Sequence, residues 1–124
     1  MSQHLELAER LFKAIEAGDI EAVKEIYAPD AEIWHNTDNL VQSPADNART
    51  LTWITTHLRD MAYTEVRRVA TEDGFVQQHV LVLTNRRGER VEIPACIVVR
   101  IADGRITRLD EYLDSAVLPQ LMAT

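Results

Sequence analysis

Three short stretches of this chain hold side chains that could move protons. The first is Trp34-His35-Asn36, with Asp38 close behind. The second is Gln77-Gln78-His79, set inside an otherwise apolar run, and the third is Asp110-Glu111-Tyr112-Leu113-Asp114. An imidazole beside apolar neighbours titrates near neutrality and serves as acid or base. A carboxylate flanked by leucines on an inward face has its charged form disfavoured by desolvation, which suits proton transfer. The candidate catalytic residues are therefore His35, Glu111 and Asp110. The candidate substrate-binding residues are Trp34, Asn36, Gln77, His79 and Tyr112. Each has a plainer alternative. His35 could simply partner Asp38 at a surface strand end, Trp34 could be wall or core, and the acidic run could pair with Arg100, Arg105 or Arg108. Polar groups in mid-strand need partners if buried, so Gln77 and His79 would bond a ligand or each other, or else lie on an exposed face.

Other chemistries lack their motifs. There is no glycine-rich phosphate loop, no cysteine or histidine spacing suited to zinc, and no G-x-S-x-G elbow. Neither metal nor cofactor is expected, and acid–base catalysis alone is the chemistry the residues suggest. Cys96, the single cysteine, follows Pro94 among Ala95, Ile97 and Val98 and reads as a small buried hydrophobe.

These stretches must be positioned by elements legible in the hydrophobic pattern. Leu5, Ala8, Phe12 and Ile15 recur at helical spacing, predicting a helix from about Gln3 to Ala17. Gly18-Asp19 ends it and caps a second helix bearing Ile20, Val23 and Ile26, which Pro29 limits to about Tyr27. Ala31–His35 alternates as a short strand, and residues 36–42 read as a loop. Ser43-Pro44 opens a third helix running to about Arg59. Then the period changes to strands: Tyr63–Thr71, Phe75–Thr84, Glu89–Ile101 and Arg105–Leu113, joined by turns at Asp73-Gly74, residues 85–88 and Asp103-Gly104. A short helix, about Ser115–Met122, follows. Segregated helices and strands predict an α+β fold, with three helices of the N-terminal half packed on a curved antiparallel sheet around an apolar pocket.

Length and charge fit that picture. The 124 residues, 46% hydrophobic, suit one domain spanning the chain, 1–124, with its own core. The net charge of −7 argues against nucleic acid and anionic membrane surfaces. Met1–Ala8 lacks the form of a secretory leader, no apolar run is long enough to span a bilayer, and a lone cysteine fits a reducing compartment, so a cytoplasmic location is expected. A homodimer is expected because outer and edge strands need cover.

Three phrases carry a resemblance. They are Ala17-Gly18-Asp19 through Tyr27-Ala28-Pro29-Asp30-Ala31, then Arg100-Ile101-Ala102-Asp103-Gly104-Arg105-Ile106, then Glu111-Tyr112-Leu113-Asp114. In order and spacing they resemble the SnoaL-like group of the nuclear transport factor 2-like superfamily, with its ketosteroid isomerases, limonene epoxide hydrolases and polyketide cyclases. The resemblance implies a cone-shaped α+β barrel with an apolar cavity, often dimeric. It matches the isomerase's general-base aspartate to His35. The isomerase's two oxyanion-binding residues fall near Leu11 and Ile97, which have no donor. The epoxide hydrolase's water-activating aspartate falls on Glu111. Its water-holding tyrosine and asparagine fall near Ile33 and His35, or one residue on at Trp34 and Asn36. Its arginine–aspartate pair falls near Gln77–Val80, where the chain offers Gln78 and His79.

The resemblance thus implies a cofactor-independent enzyme of isomerase, cyclase or hydrolase type acting on a hydrophobic small molecule. The alternatives are a non-catalytic binder of such a ligand, or an interaction module presenting Tyr63, Val80, Val82, Val99 and Tyr112 on its outer face. Convergence of His35 and a carboxylate on one spot favours the enzyme; wide separation favours the binder.

Overall fold

A computed structural model of the chain describes residues 2–124. Helix α1 (Gln3–Ala17) starts where the Ser2 side chain accepts the His4 amide and stops at Gly18, whose φ of 68° suits a residue without Cβ. Asp19 then caps α2 (Ile20–Ile26) by accepting the Ala22 amide. Strand β1 (Tyr27–His35) follows at once, and a tight turn leads into β2 (Leu40–Gln42). A reciprocal Ser43–Asp46 capping box opens α3 (Pro44–His57). The remaining strands are β3 (Arg59–Ala70), β4 (Gly74–Thr84), β5 (Arg90–Ala102) and β6 (Arg105–Leu113). A single 3₁₀ turn at Ser115–Val117 and the short α4 (Leu118–Leu121) end the chain.

The six strands form one sheet in the order β2-β1-β6-β5-β4-β3. The α+β class stands as expected, but two details differ from the sequence reading. Residues 40–42 are a strand, not loop, because the turn after His35 folds β2 back on β1. And the sheet is mixed: β1 runs parallel to β6, while every other neighbouring pair is antiparallel. Everything between β1 and β6 forms the long crossover that parallel pairing requires. The sheet curves without closing, leaving β2 and β3 as edges.

Irregularities in register bend it. They lie between Tyr27 and Glu32, Arg59 and Ala62, Thr64 and Arg67, and Arg100 and Ile101. Gly74 marks a close approach of backbones: a Cβ there would sit 1.8 Å from the Val99 carbonyl oxygen.

The concave face holds the core in two clusters. In the larger, α1 and α2 pack Leu11, Phe12 and Val23 on Ile33, Phe75, Ile97 and Ile106. In the smaller, Leu58, Leu83, Val91 and Ile93 meet Trp53 and Ile54 of α3 and Leu121 of α4. The gap between these clusters is where the site lies. The outer face is otherwise than expected at two positions: Tyr63 and Val99 turn inward against the first cluster, since they pair with inward residues across the sheet. Among the described residues, no helix is long and apolar enough to cross a membrane.

Candidate active site

One transverse row of the sheet carries most of the polar chemistry. Arg68 on β3 pairs with Gln77 on β4, Gln77 with Ile97 on β5, Ile97 with Glu111 on β6, and Glu111 with His35 on β1. Cross-strand neighbours share a face, so all five point to the concave side. His79 stands in the next row on the same face.

The row brings the His35 imidazole and the Glu111 carboxylate together, Nε2 to Oε1, at 3.1 Å. Both side chains keep a little over one-fifth exposure, 22% and 23%. They open into a cavity of about 500 Å³. Leu81, Ile93, Leu113, Leu118 and Leu121 give that cavity apolar walls, and Thr37, Gln42 and Thr50 a few polar points. Size and composition match those of small-molecule sites. Burial alone would lower the His35 pKa; the hydrogen bond to Glu111 and its charge, with Asp38 behind, outweigh burial and raise it.

Further back, Arg68 Nε donates to Gln77 Oε1 at 2.7 Å, and Gln77 Nε2 lies 2.9 Å from His79 Nδ1. Gln77 is fully buried and His79 is 4% exposed. The Phe12 and Tyr63 rings fix the imidazole, with centroids at 5.8 and 4.8 Å. His79 lines the cavity, and its Nε2 has no partner among the described residues. Burial pushes the His79 pKa down, more than the Glu111 charge lifts it. Buried Tyr27 and Tyr63 have their hydroxyl pKa values pushed up, first by burial and then by the charge of Glu111. Glu111 is therefore the charge around which the site's titratable groups are arranged.

The structure separates the other candidates from the cavity. Asp110 points to the opposite face, where Arg108 Nε donates to it at 2.9 Å; alternation along β6 forces this once Glu111 faces inward. Tyr112 shares that outer face and is half exposed. Trp34 is there too, its indole donating to Asn39 at 2.9 Å and its ring meeting Tyr112 edge-on at 5.2 Å. Asn36 serves the backbone: its amide donates to the Leu113 carbonyl and accepts the Leu113 amide, both at 3.0 Å, tying the β1 turn to the end of β6. Cys96 is half-buried on the outer face, in a groove of about 720 Å³ with Val66, Pro94 and Tyr112 that neither His35 nor Glu111 lines.

Several site residues were not among the sequence candidates. Arg68 and Tyr63 carry no local motif, and Tyr27 entered only as part of the Tyr27–Ala31 phrase and not as a site residue. Trp53, Ile54, Leu118 and Leu121 look like ordinary core positions, and only the pocket gives them a second role. No group of three or more His, Cys, Asp or Glu among the described residues is arranged to hold a metal ion.

Comparison with known proteins places the chain in a family. Residues 8–109 match the family model of the SnoaL-like domain, and the chain belongs to that family. An uncharacterized protein of Mycobacterium tuberculosis strain ATCC 25618 / H37Rv is 29% identical in an alignment 132 positions long that covers 96% of this chain and 95% of that protein. An NTF2-like protein of unknown function from Burkholderia pseudomallei K96243 superposes with a TM-score of 0.86 over 100% of both chains at 17% identity. A candidate polyketide cyclase from Xanthomonas campestris pv. campestris superposes with a TM-score of 0.84 over 96% of each chain at 18% identity. At such identities the likeness establishes the NTF2-like fold.

Proposed function

We propose that this SnoaL-like domain is a cofactor-independent enzyme that moves a proton on a hydrophobic small molecule held in its cavity. The observation that carries the reading is the 3.1 Å contact between His35 and Glu111 at the wall of an apolar cavity. Glu111 Oε1 is engaged by His35, and among the described residues no second side chain bonds the carboxylate. Its other oxygen is the base, taking a proton from carbon or from a bound water. His35 holds the carboxylate in place and returns a proton to the product, and the proton on Glu111 then passes to His35, which restores the pair. The acid–base partner is Glu111, and Asp110, on the far face, is left out. The apolar walls exclude water and strengthen every charge interaction inside. Ring closure, isomerisation and elimination all need only this pair. The working unit is a homodimer formed through the outer sheet face, where Val66, Val98 and Tyr112 are exposed.

The test is deuterium incorporation from heavy water into a panel of apolar cyclic ketones, followed by proton NMR. Glu111→Gln should lower the exchange rate by about 10²–10⁴, the usual contribution of one positioned acid–base group, and His35→Ala should lower it within the same range. Exchange at wild-type rates in both variants defeats the reading. Tight binding of the panel without exchange in the wild type favours a non-catalytic binder of the same fold.

A further inference from the structure

A second polar group faces the cavity well away from the acid–base pair. Gln42 on β2 pairs with buried Ile33 on β1, so it points to the concave side, and it lines the cavity together with Thr50 of α3. Two neighbours fix its amide. The Thr50 hydroxyl donates its one proton to the Asp46 carbonyl at 3.3 Å, so Thr50 Oγ1 accepts from Gln42, whose Nε2 donates at 3.2 Å. Gln42 Oε1 in turn accepts from Asn47 Nδ2 at 3.3 Å. Asn47 is only 7% exposed, and its side chain bonds no other group among the described residues. A buried amide spent on one neighbour fixes that neighbour before any ligand arrives, which lowers the ordering cost of binding. The second Gln42 N–H bonds nothing among the described residues, and half-buried Gln42 keeps contact with the cavity. It is a prearranged donor in a mostly apolar wall.

Distance and charge narrow what this donor meets. Gln42 and Glu111 lie two strands apart and two residues out of register, so their backbones are separated by roughly 12 Å. A small two-ring molecule bridges such a gap between the amide and the carboxylate. Asp38 and Glu111 both line the cavity, and among the described residues no lysine or arginine does. A ligand carboxylate or phosphate would meet like charges there with no cation to offset them. We propose that Gln42 binds an uncharged oxygen, a hydroxyl group, at the end of the ligand remote from the reacting carbon, and that Asn47 and Thr50 are positioning residues that aim its free N–H. The ligand is then an apolar two-ring molecule bearing a hydroxyl. Its reaction at Glu111 rests on the acid–base reading, whereas its seating at Gln42 does not.

The test is an NMR titration at pH 7 with indane, 5-indanol and indane-5-carboxylate, which share their rings and differ in one substituent. Wild-type protein should bind 5-indanol about two- to tenfold more tightly than indane, the range of one net hydrogen bond, and should bind the carboxylate more weakly than either. 5-Indanol, unlike indane, should shift the Gln42 side-chain NH₂ signals. Gln42→Leu should bind indane as before and lose the preference for the hydroxyl. Asn47→Ala should reduce that preference although the Gln42 amide is still present. Glu111→Gln should keep the preference while losing deuterium exchange, which separates failure of this assignment from failure of the acid–base reading. A preference that survives Gln42→Leu overturns the proposal, as does one abolished by Glu111→Gln, which would seat the hydroxyl on the base instead. Equal wild-type affinity for indane and 5-indanol, including no measurable affinity for either, also overturns it, and so does a carboxylate that binds as tightly as 5-indanol.

Discussion

At the scale of single residues, the site works by differences in environment. Two histidines face one cavity and are pushed in opposite directions. His35 is raised because Glu111 bonds it directly, whereas His79 is lowered because burial prevails and Arg68 adds to it. Their contributions to stability therefore have opposite pH dependence. His35 binds its proton more tightly when folded. Its stabilisation is complete below the unfolded value of about 6.5 and disappears as the pH rises through its higher folded value. His79 contributes above about pH 6.5 and loses that contribution as the pH falls through its lower folded value. Urea denaturation across this range should show His35→Ala costing about 1 kcal/mol in mild acid and almost nothing at alkaline pH. A cost independent of pH would mean that the ring acts through packing and not through its charge.

At the scale of elements, the cavity depends on how strand ends and the last helix are tied down. The side chain of Asn85, fully buried at the β4–β5 turn, makes four hydrogen bonds. Its amide donates to Glu89 Oε1 at 3.1 Å and to the Gln120 carbonyl at 2.8 Å, and its oxygen accepts the Arg87 and Glu89 amides at 2.9 Å. Arg86 adds a bond to the Met122 carbonyl at 2.8 Å and lies over the Trp53 ring at 5.1 Å. The turn thereby anchors α4, whose Leu118 and Leu121 form part of the cavity wall. Asn85→Ala should cost about 2–4 kcal/mol by orphaning buried partners. It should also raise amide hydrogen exchange across residues 115–122 more than elsewhere; uniform acceleration would show that Asn85 stabilises only the hairpin.

The elements also show what was legible beforehand. The α1 stripe, the Ser43 cap and the β6 bounds follow from local chemistry, and local chemistry is enough to form them. Alternation placed Gln77 and His79 on the face of Phe75 and Leu81, and placed Glu111 with Leu109 and Leu113, which is how the strands lie. Asp110 and Tyr112 were offered together with Glu111, though one strand cannot send successive residues to the same side. Arg68 was hidden for a different reason. Counting by twos from the inward Tyr63 leads to Arg67, but a bulge at Glu65, whose φ is 50°, inserts a residue and turns Arg68 inward. Nor does local pattern reveal that β1 lies parallel to β6, because that pairing is settled by the path of the whole chain.

For the whole molecule, the outer sheet face is the open question that oligomeric state answers. Val98 and Tyr112 stand 38% and 48% exposed on adjacent strands, and Val66 lies across the same groove. Light scattering should give twice the 14.1 kDa chain mass, and Val98→Glu should halve it without loss of helix signal. A monomeric wild type refutes the dimer while leaving the cavity chemistry intact.

His35 ends the first strand and Glu111 lies near the end of the last, and these two strands meet in the sheet's one parallel contact. The pair therefore exists only after almost the entire polypeptide has been made and the final strand has slid in beside the first. A nascent chain stalled before residue 105 would carry the imidazole without the Glu111 carboxylate beside it. In the proposed enzyme, a fragment lacking the last strand therefore lacks one half of the acid–base pair.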